Sequence, residues 1–382
     1  MSHIDELSPV CGPRLDGRID QRIAAIAERL ESELAGDPGL SFQAAAFHAG
    51  RVVMDVWGGP YLGAESLSVP YSVTKNIIGV CMGLLVERGL LDLDARVGSY
   101  WPEFAMRGKG AVTVRQLLSH QAGLPQASPP LSWAELLDHH RGARRLADSR
   151  PLWIPGRAFG YHAYTIGNLA GELLFRITGD TIHAFYEREV RAPNGIDFFL
   201  GVPEEQRARL TATLAPLRPA GVDERSAPTA LLRAVREAPG VQVDLANDEV
   251  SWRFGHPAAS GAGSARGIAA LLAAAVTGVG GRAPLLARET LLEIGERQVH
   301  GYDEVLGQAG RAYAIVFQKP TQAHAFGGPL AFGHDGARGA LACVDPETGV
   351  AFAWTIARGQ WPGGADPRAV ATAATLGRIF GS

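Results

Sequence analysis

The sequence predicts an α+β protein, with one antiparallel sheet assembled from both ends of the chain, helices covering it, and a mainly helical lobe inserted in the middle. Three observations predict this. Near the start, two apolar runs at 41–48 and 52–57 flank Ala49-Gly50-Arg51, a hairpin signal. Strand character returns only at the end, at 313–318, 339–344 and 350–357. Between them, from Leu91 to about His300, the apolar spacing is helical, at 113–119, 132–139, 164–177, 181–190 and 265–276, with Pro- and Gly-rich breaks. The sheet part is therefore expected at 1–90 and 301–382 and the helical lobe at 91–300.

In chain order, Ile19, Ile23, Ile26, Leu30 and Leu34 recur at helical spacing with charges between them, which predicts an amphipathic helix over 17–34 that packs on the sheet. Gly58-Gly59-Pro60 ends the second strand. From Asn76 to Val86 the chain is almost wholly apolar, the pattern of a buried helix, and Gly89 reads as its left-handed cap. The stretch 201–250, rich in Pro, Arg and Glu, fits no element. Residues 345–349, Asp-Pro-Glu-Thr-Gly, turn the last hairpin. Asp366-Pro367 supplies an N-cap and a first-turn proline for a final helix.

Composition narrows the function. The 382 residues, 46% hydrophobic, are ample for a core, and a formal charge of −3 gives no basic footprint for nucleic acid. Cys11, Cys81 and Cys343 are odd in number and far apart, with Cys81 and Cys343 reading as small core residues. Residues 1–34 show no basic segment leading into an apolar one, and no apolar stretch reaches membrane-spanning length, so a cytoplasmic protein without membrane partners is expected. There is no H-E-x-x-H, and the adjacent His139 and His140 cannot share a helical face. No metal and no cofactor are expected. G-x-S-x-G is absent, and residues 261–267 read as a glycine-rich helix start rather than a phosphate loop.

Chemistry concentrates at Pro70-Tyr71-Ser72-Val73-Thr74-Lys75, which opens the buried helix. Ser72 and Lys75 are three apart, hence one turn apart on one face. Burial lowers a lysine's pKa and lets it accept a proton, and a serine hydroxyl needs such a base before it can attack. A capping serine beside a surface lysine would give the same spacing. Against that, the chain holds only three lysines, Lys75, Lys109 and Lys319, and the motif opens its most apolar helix. Two further segments belong to the argument. Tyr161 stands in a loop before a helix, in Phe159-Gly160-Tyr161-His162-Ala163-Tyr164. The segment Phe332-Gly333-His334-Asp335-Gly336-Ala337 opens the last hairpin.

The order S-x-x-K, a Y-x-N-like segment and a K-T-G-like segment resembles the serine β-lactamase and penicillin-binding-protein superfamily, in particular its class C-like branch with the family VIII carboxylesterases. Residues 117–125 (LLSHQAGLP), 167–172 (GNLAGE) and 261–267 (GAGSARG) are similar to that branch, and the likeness runs from about 41 to 357. The resemblance implies a β-lactamase/transpeptidase-like fold with the active site between sheet and helical lobe. It implies Ser72 as the nucleophile that is acylated, Lys75 and Tyr161 sharing the proton transfers, and the N–H groups of Ser72 and Ala337 as the oxyanion hole. His334, Asp335 and Gly336 are implied at the substrate, with His334 alternatively orienting Tyr161. Two positions depart from the pattern. Ala163 replaces the asparagine of Y-x-N, and His-Asp-Gly replaces K-T-G, so a permanent charge gives way to a histidine expected to be partly charged near neutral pH. The expected function is a serine hydrolase, foremost a carboxylesterase on short or medium acyl esters. An acyltransferase using an alcohol or amine acceptor is the alternative, and a β-lactamase, D-amino-acid peptidase or catalytically silent binding protein is ranked below it.

Overall fold

A computed structural model describes residues 7–11, 15–217, 229–237, 244–359, 361 and 363–381. Within the unassigned stretch 201–250, residues 218–228 and 238–243 lie outside the described residues. The strands are β1 (Leu7–Cys11), β2 (Leu15–Asp20), β3 (Phe42–His48), β4 (Arg51–Gly58), β5 (Phe332–Asp335), β6 (Leu341–Asp345) and β7 (Val350–Ile356). They form one sheet in the order β1-β2-β4-β3-β7-β6-β5, antiparallel at every pair. The first and last parts of the chain therefore meet at β3 against β7, where Phe42 pairs with Ile356 and His48 with Val350.

Both sheet faces are buried, and period-two alternation sorts the side chains between them. Phe42, Ala44, Ala46, Leu341, Phe352 and Trp354 face one cluster with two helices, α1 (Ala24–Gly36) and, in chain order the last, Pro367–Phe380. Phe42 stacks on Trp354 at 4.2 Å and 10°, an arrangement worth about 0.5–1.5 kcal/mol beyond area burial. Ala45, Ala342, Ala351 and Ala353 face the other cluster. Their small side chains admit α4 (Ala265–Val276) against the sheet, behind α2 (Lys75–Glu87) and α3 (Thr165–Thr178). Ser264 caps α4 by accepting from Gly267 N–H. Every residue of α2 from Lys75 to Leu85 is buried, as an all-round apolar helix requires, and Gly89 takes φ +65° just after it.

Two expectations are corrected. Residues 17–34 are not one helix, because 15–20 form β2 and α1 starts at Ala24 after a 3-10 turn. Ile19 satisfies the helical spacing with Ile23, but it also fits the pairing of β2 with β4, opposite Met54. Residues 313–318 are not a strand either. The strand Gln308–Tyr313 pairs with Val299–Asp303, and the apolar run then turns back on itself, with Ala314 N–H donating to Phe317 O and Val316 at φ +69°. Val316 N–H to Leu118 O and Ile315 N–H to Ile294 O hold this turn inside the core. The third C-terminal strand of the sheet is β5 instead, and Gln318 covers its free edge through two backbone bonds to Gly333.

Candidate active site

Ser72 sits on a 3-10 turn, Tyr71–Thr74, that feeds directly into α2. Tyr71 is held at φ +50°, a conformation costing a non-glycine residue roughly 1–3 kcal/mol. The surroundings fix it there. The Tyr71 hydroxyl donates to Asp244 at 3.3 Å, and Gly336 passes so close to the turn that a Cβ on it would lie 2.3 Å from Pro70 O. Gly336 thus lets the end of β5 approach the turn.

The Ser72 hydroxyl lies between two groups. Lys75 Nζ is 3.0 Å from Ser72 Oγ, and the Tyr161 hydroxyl donates to the same oxygen at 2.7 Å. Lys75 is fully buried, and its Nζ also donates to the carbonyls of Ala163 (2.7 Å) and Ala258 (2.8 Å). Burial pushes its pKa well below the ordinary lysine value, against the pull of Asp335. A free amine has two N–H donors and one lone pair. In that form the two carbonyls would take the donors, leaving the lone pair for the Ser72 hydroxyl. Tyr161 behaves oppositely: burial raises its pKa well above the ordinary phenol value, outweighing the hydrogen bond to Ser72, so it stays protonated. Its backbone N–H donates to both oxygens of Asp303 at 3.1 Å. Asp303 also accepts from Val305 N–H, Leu306 N–H and the Tyr313 hydroxyl, and the rings of Tyr161 and Tyr313 stack at 6.0 Å and 7°.

His334 is placed behind Tyr161, with Nε2 3.5 Å from the Tyr161 oxygen. It is fully buried and Nδ1 donates to the Asp335 carbonyl at 2.7 Å, so Nε2 is the unprotonated nitrogen. Burial, with Lys75 nearby, pushes its pKa down to about 3. The expectation of a partly charged histidine is corrected by this burial. Of the two roles open for His334, its position fits the one at Tyr161, and it does not line the cavity at Ser72. Asp335 does reach the cavity wall. Burial acts to raise its pKa, but Arg311 and the nearby histidines outweigh that and hold it below the ordinary carboxylate value, while Gln318 Nε2 donates to it at 2.8 Å.

The cavity at Ser72 has a volume of about 510 Å³. Ala163, Tyr164, Leu232, Leu245, Leu306 and Trp361 supply much of its lining. Ala337 lines it too, and its N–H has no acceptor among the described residues. Sequence reasoning missed Asp303, Arg311, Gln318 and Trp361. None of these lies in a motif, and only the hairpin 299–313 and the turn after it bring the first three to Tyr161.

Fold and site together define a serine hydrolase of β-lactamase fold. The comparisons agree with that class. Residues 27–376 match the Beta-lactamase family, and the chain belongs to it. It is 29% identical over 379 residues to the Esterase/beta-lactamase LipL of Mycobacterium tuberculosis, across 90% of this chain and 83% of that protein. EstA from Arthrobacter nitroguajacolicus Rue61a superposes with a TM-score of 0.89 at 37% identity, over 95% of this chain and 97% of its own. A family VIII carboxylesterase does so with a TM-score of 0.84 at 28% identity, over 96% and 99%. No helix among the described residues is long and apolar enough to cross a membrane.

Proposed function

We propose that the protein is a carboxylesterase acting on short or medium acyl esters through an acyl-enzyme on Ser72, in a cleft between a sheet portion (1–90 and 301–382) and a mainly helical portion (91–300). The observation that carries this is the placement of Ser72 Oγ between Lys75 Nζ and the Tyr161 hydroxyl, on the wall of a cavity of about 510 Å³. Lys75, as the free amine, takes the Ser72 proton while Oγ adds to the ester carbonyl. The N–H groups of Ser72 and Ala337 receive the charge that develops on the carbonyl oxygen. Tyr161, as the phenol, gives its proton to the departing alkoxide and regains one from the Lys75 ammonium, whose nitrogen lies 4.9 Å from the tyrosine ring centre. Water then repeats the sequence on the acyl-enzyme and releases the acid.

Substrate preference follows from what the wall lacks. Ala163 offers no side-chain donor for an amide, and His334 offers no charge. A β-lactam buried here leaves polar groups unpaired at about 1–3 kcal/mol each, whereas a simple ester needs only the nucleophile, the base and the oxyanion donors. Short p-nitrophenyl esters should therefore turn over far faster than nitrocefin. Nitrocefin opening at rates comparable to the esters would overturn the preference. Running the same esters with and without alcohol or amine acceptors tells hydrolysis from acyl transfer, since transfer yields a new ester or amide in place of the free acid.

A further inference from the structure

The wall of the Ser72 cavity carries a fixed positive charge that belongs to no motif. Arg311, on the strand Gln308–Tyr313, lines it together with Gln318, His324 and Asp335. Some arginines of the protein are paired with carboxylates, as Arg115 is with Asp94 and Arg176 with Glu172, and others bond hydroxyls or carbonyls, as Arg29 does Thr372 and Arg358 does Ala215 O. Among the described residues, no carboxylate lies within ion-pair distance of Arg311. Its side chain reaches the Tyr313 hydroxyl, and Asp335 and Asp303 stand further off. One hydroxyl cannot satisfy the five N–H donors of a guanidinium. A second polar atom on the same wall, a donor in the Nε2–H tautomer, also lacks a hydrogen bond. His324 Nε2 is buried without a hydrogen bond, 3.6 Å from Asp335 Oδ2 and so beyond hydrogen-bond reach.

We propose that Arg311 anchors a carboxylate borne by the substrate, with His324 as second donor, so that the preferred esters carry an acidic group remote from the scissile bond, as monoesters of dicarboxylic acids do. This rests on the esterase reading of the Ser72 cavity. A guanidinium pairs with a carboxylate through two parallel hydrogen bonds, an attraction stronger in a cavity than in open water. Asp335 opposes an incoming anion. One of its oxygens is already engaged by Gln318, and it acts on Arg311 only from beyond ion-pair distance, which leaves the guanidinium N–H donors open to a closer carboxylate. Arg311 can pair with a β-lactam's carboxylate as well, so the preference for esters over β-lactams then rests on the amide donor absent at Ala163.

The test compares three p-nitrophenyl esters of matched chain length on the full chain: the neutral butyrate, the mono-glutarate and a trimethylammonio-butyrate. The glutarate should exceed the butyrate in kcat/KM by about tenfold or more, one ion pair's worth of affinity, with the cationic ester slowest. Arg311→Met should abolish the glutarate-to-butyrate ratio through KM, and Arg311→Lys should keep part of it. Should Arg311→Met fail to fold, competitive inhibition of butyrate turnover by free glutarate, weaker in Arg311→Lys than in the native protein, reads the same site. A preference for the cationic ester, a ratio that survives Arg311→Met, or no inhibition by glutarate overturns the proposal while leaving the esterase standing. Failure to turn over any ester overturns the esterase reading and this inference with it.

Discussion

Burial moves the pKa values of Lys75 and Tyr161 in opposite directions, down for the amine and up for the phenol, as the proposed division of the proton work requires. Lys75→Ala and Tyr161→Phe should each slow acylation by about a hundredfold or more. The double variant should lose far less than the product of the two, because both groups act on the one Ser72 oxygen. Stopped-flow acylation rates check this; a near-normal rate for Tyr161→Phe would move the role to Tyr164. The meeting of Ser72, Lys75 and Tyr161 was readable in the sequence because the first two obey a local helical spacing and the third sits in a recognisable segment. The charge of His334 was not, because burial is a tertiary quantity. Asp303 and Arg311 left no local trace, since their roles exist only once the hairpin 299–313 packs beside Tyr161.

At the scale of elements, the nucleophile's position depends on α2 being pressed into the core. Gly79 is the closest contact. A Cβ there would lie 2.1 Å from the Phe317 ring, in the buried turn that follows Tyr313. Gly79→Ala should therefore destabilise the protein by roughly 1–3 kcal/mol despite alanine's better helix propensity, a loss measurable by urea unfolding. Unchanged or increased stability would mean that Phe317 yields easily. Hairpins turned by Ala49-Gly50 and by 345–349 were readable because turn residues act locally. The turn after Tyr313 was not: Ala314-Ile315-Val316-Phe317 has the composition of a strand, and only its bonds to Leu118 and Ile294 fold it back. Nor was β2, whose Ile19 fits two periodicities at once.

At the scale of the whole molecule, four histidines among the described residues are fully buried: His120, His162, His256 and His334. Burial is the leading cause that lowers each pKa, to about 4 for His162, about 3 for His256 and His334, and well below 6.5 for His120. Below pH 6.5 the unfolded chain protonates these groups while the folded protein does not. Stability therefore falls as pH drops from about 6.5 toward 3–4, each histidine contributing up to about 1.4 kcal/mol per pH unit. Thermal melts should show Tm decreasing steadily between pH 7 and pH 5, and a flat Tm over that range contradicts the neutral, buried state assigned to them. The sheet that joins both chain ends was readable from the positions of its central hairpins. The way its alanine-lined face admits α4 depends on β3 meeting β7, a pairing with no local signature.

The central claim is that Ser72 is acylated. The most direct measurement is intact-protein and peptide mass spectrometry after a brief reaction with a slowly hydrolysed ester or a fluorophosphonate. The account predicts a single adduct, on the peptide carrying Ser72, in the native protein, and none in a folded Ser72→Ala variant that has lost essentially all esterase turnover. An adduct on another residue, or a Ser72→Ala variant that keeps its turnover, would contradict it.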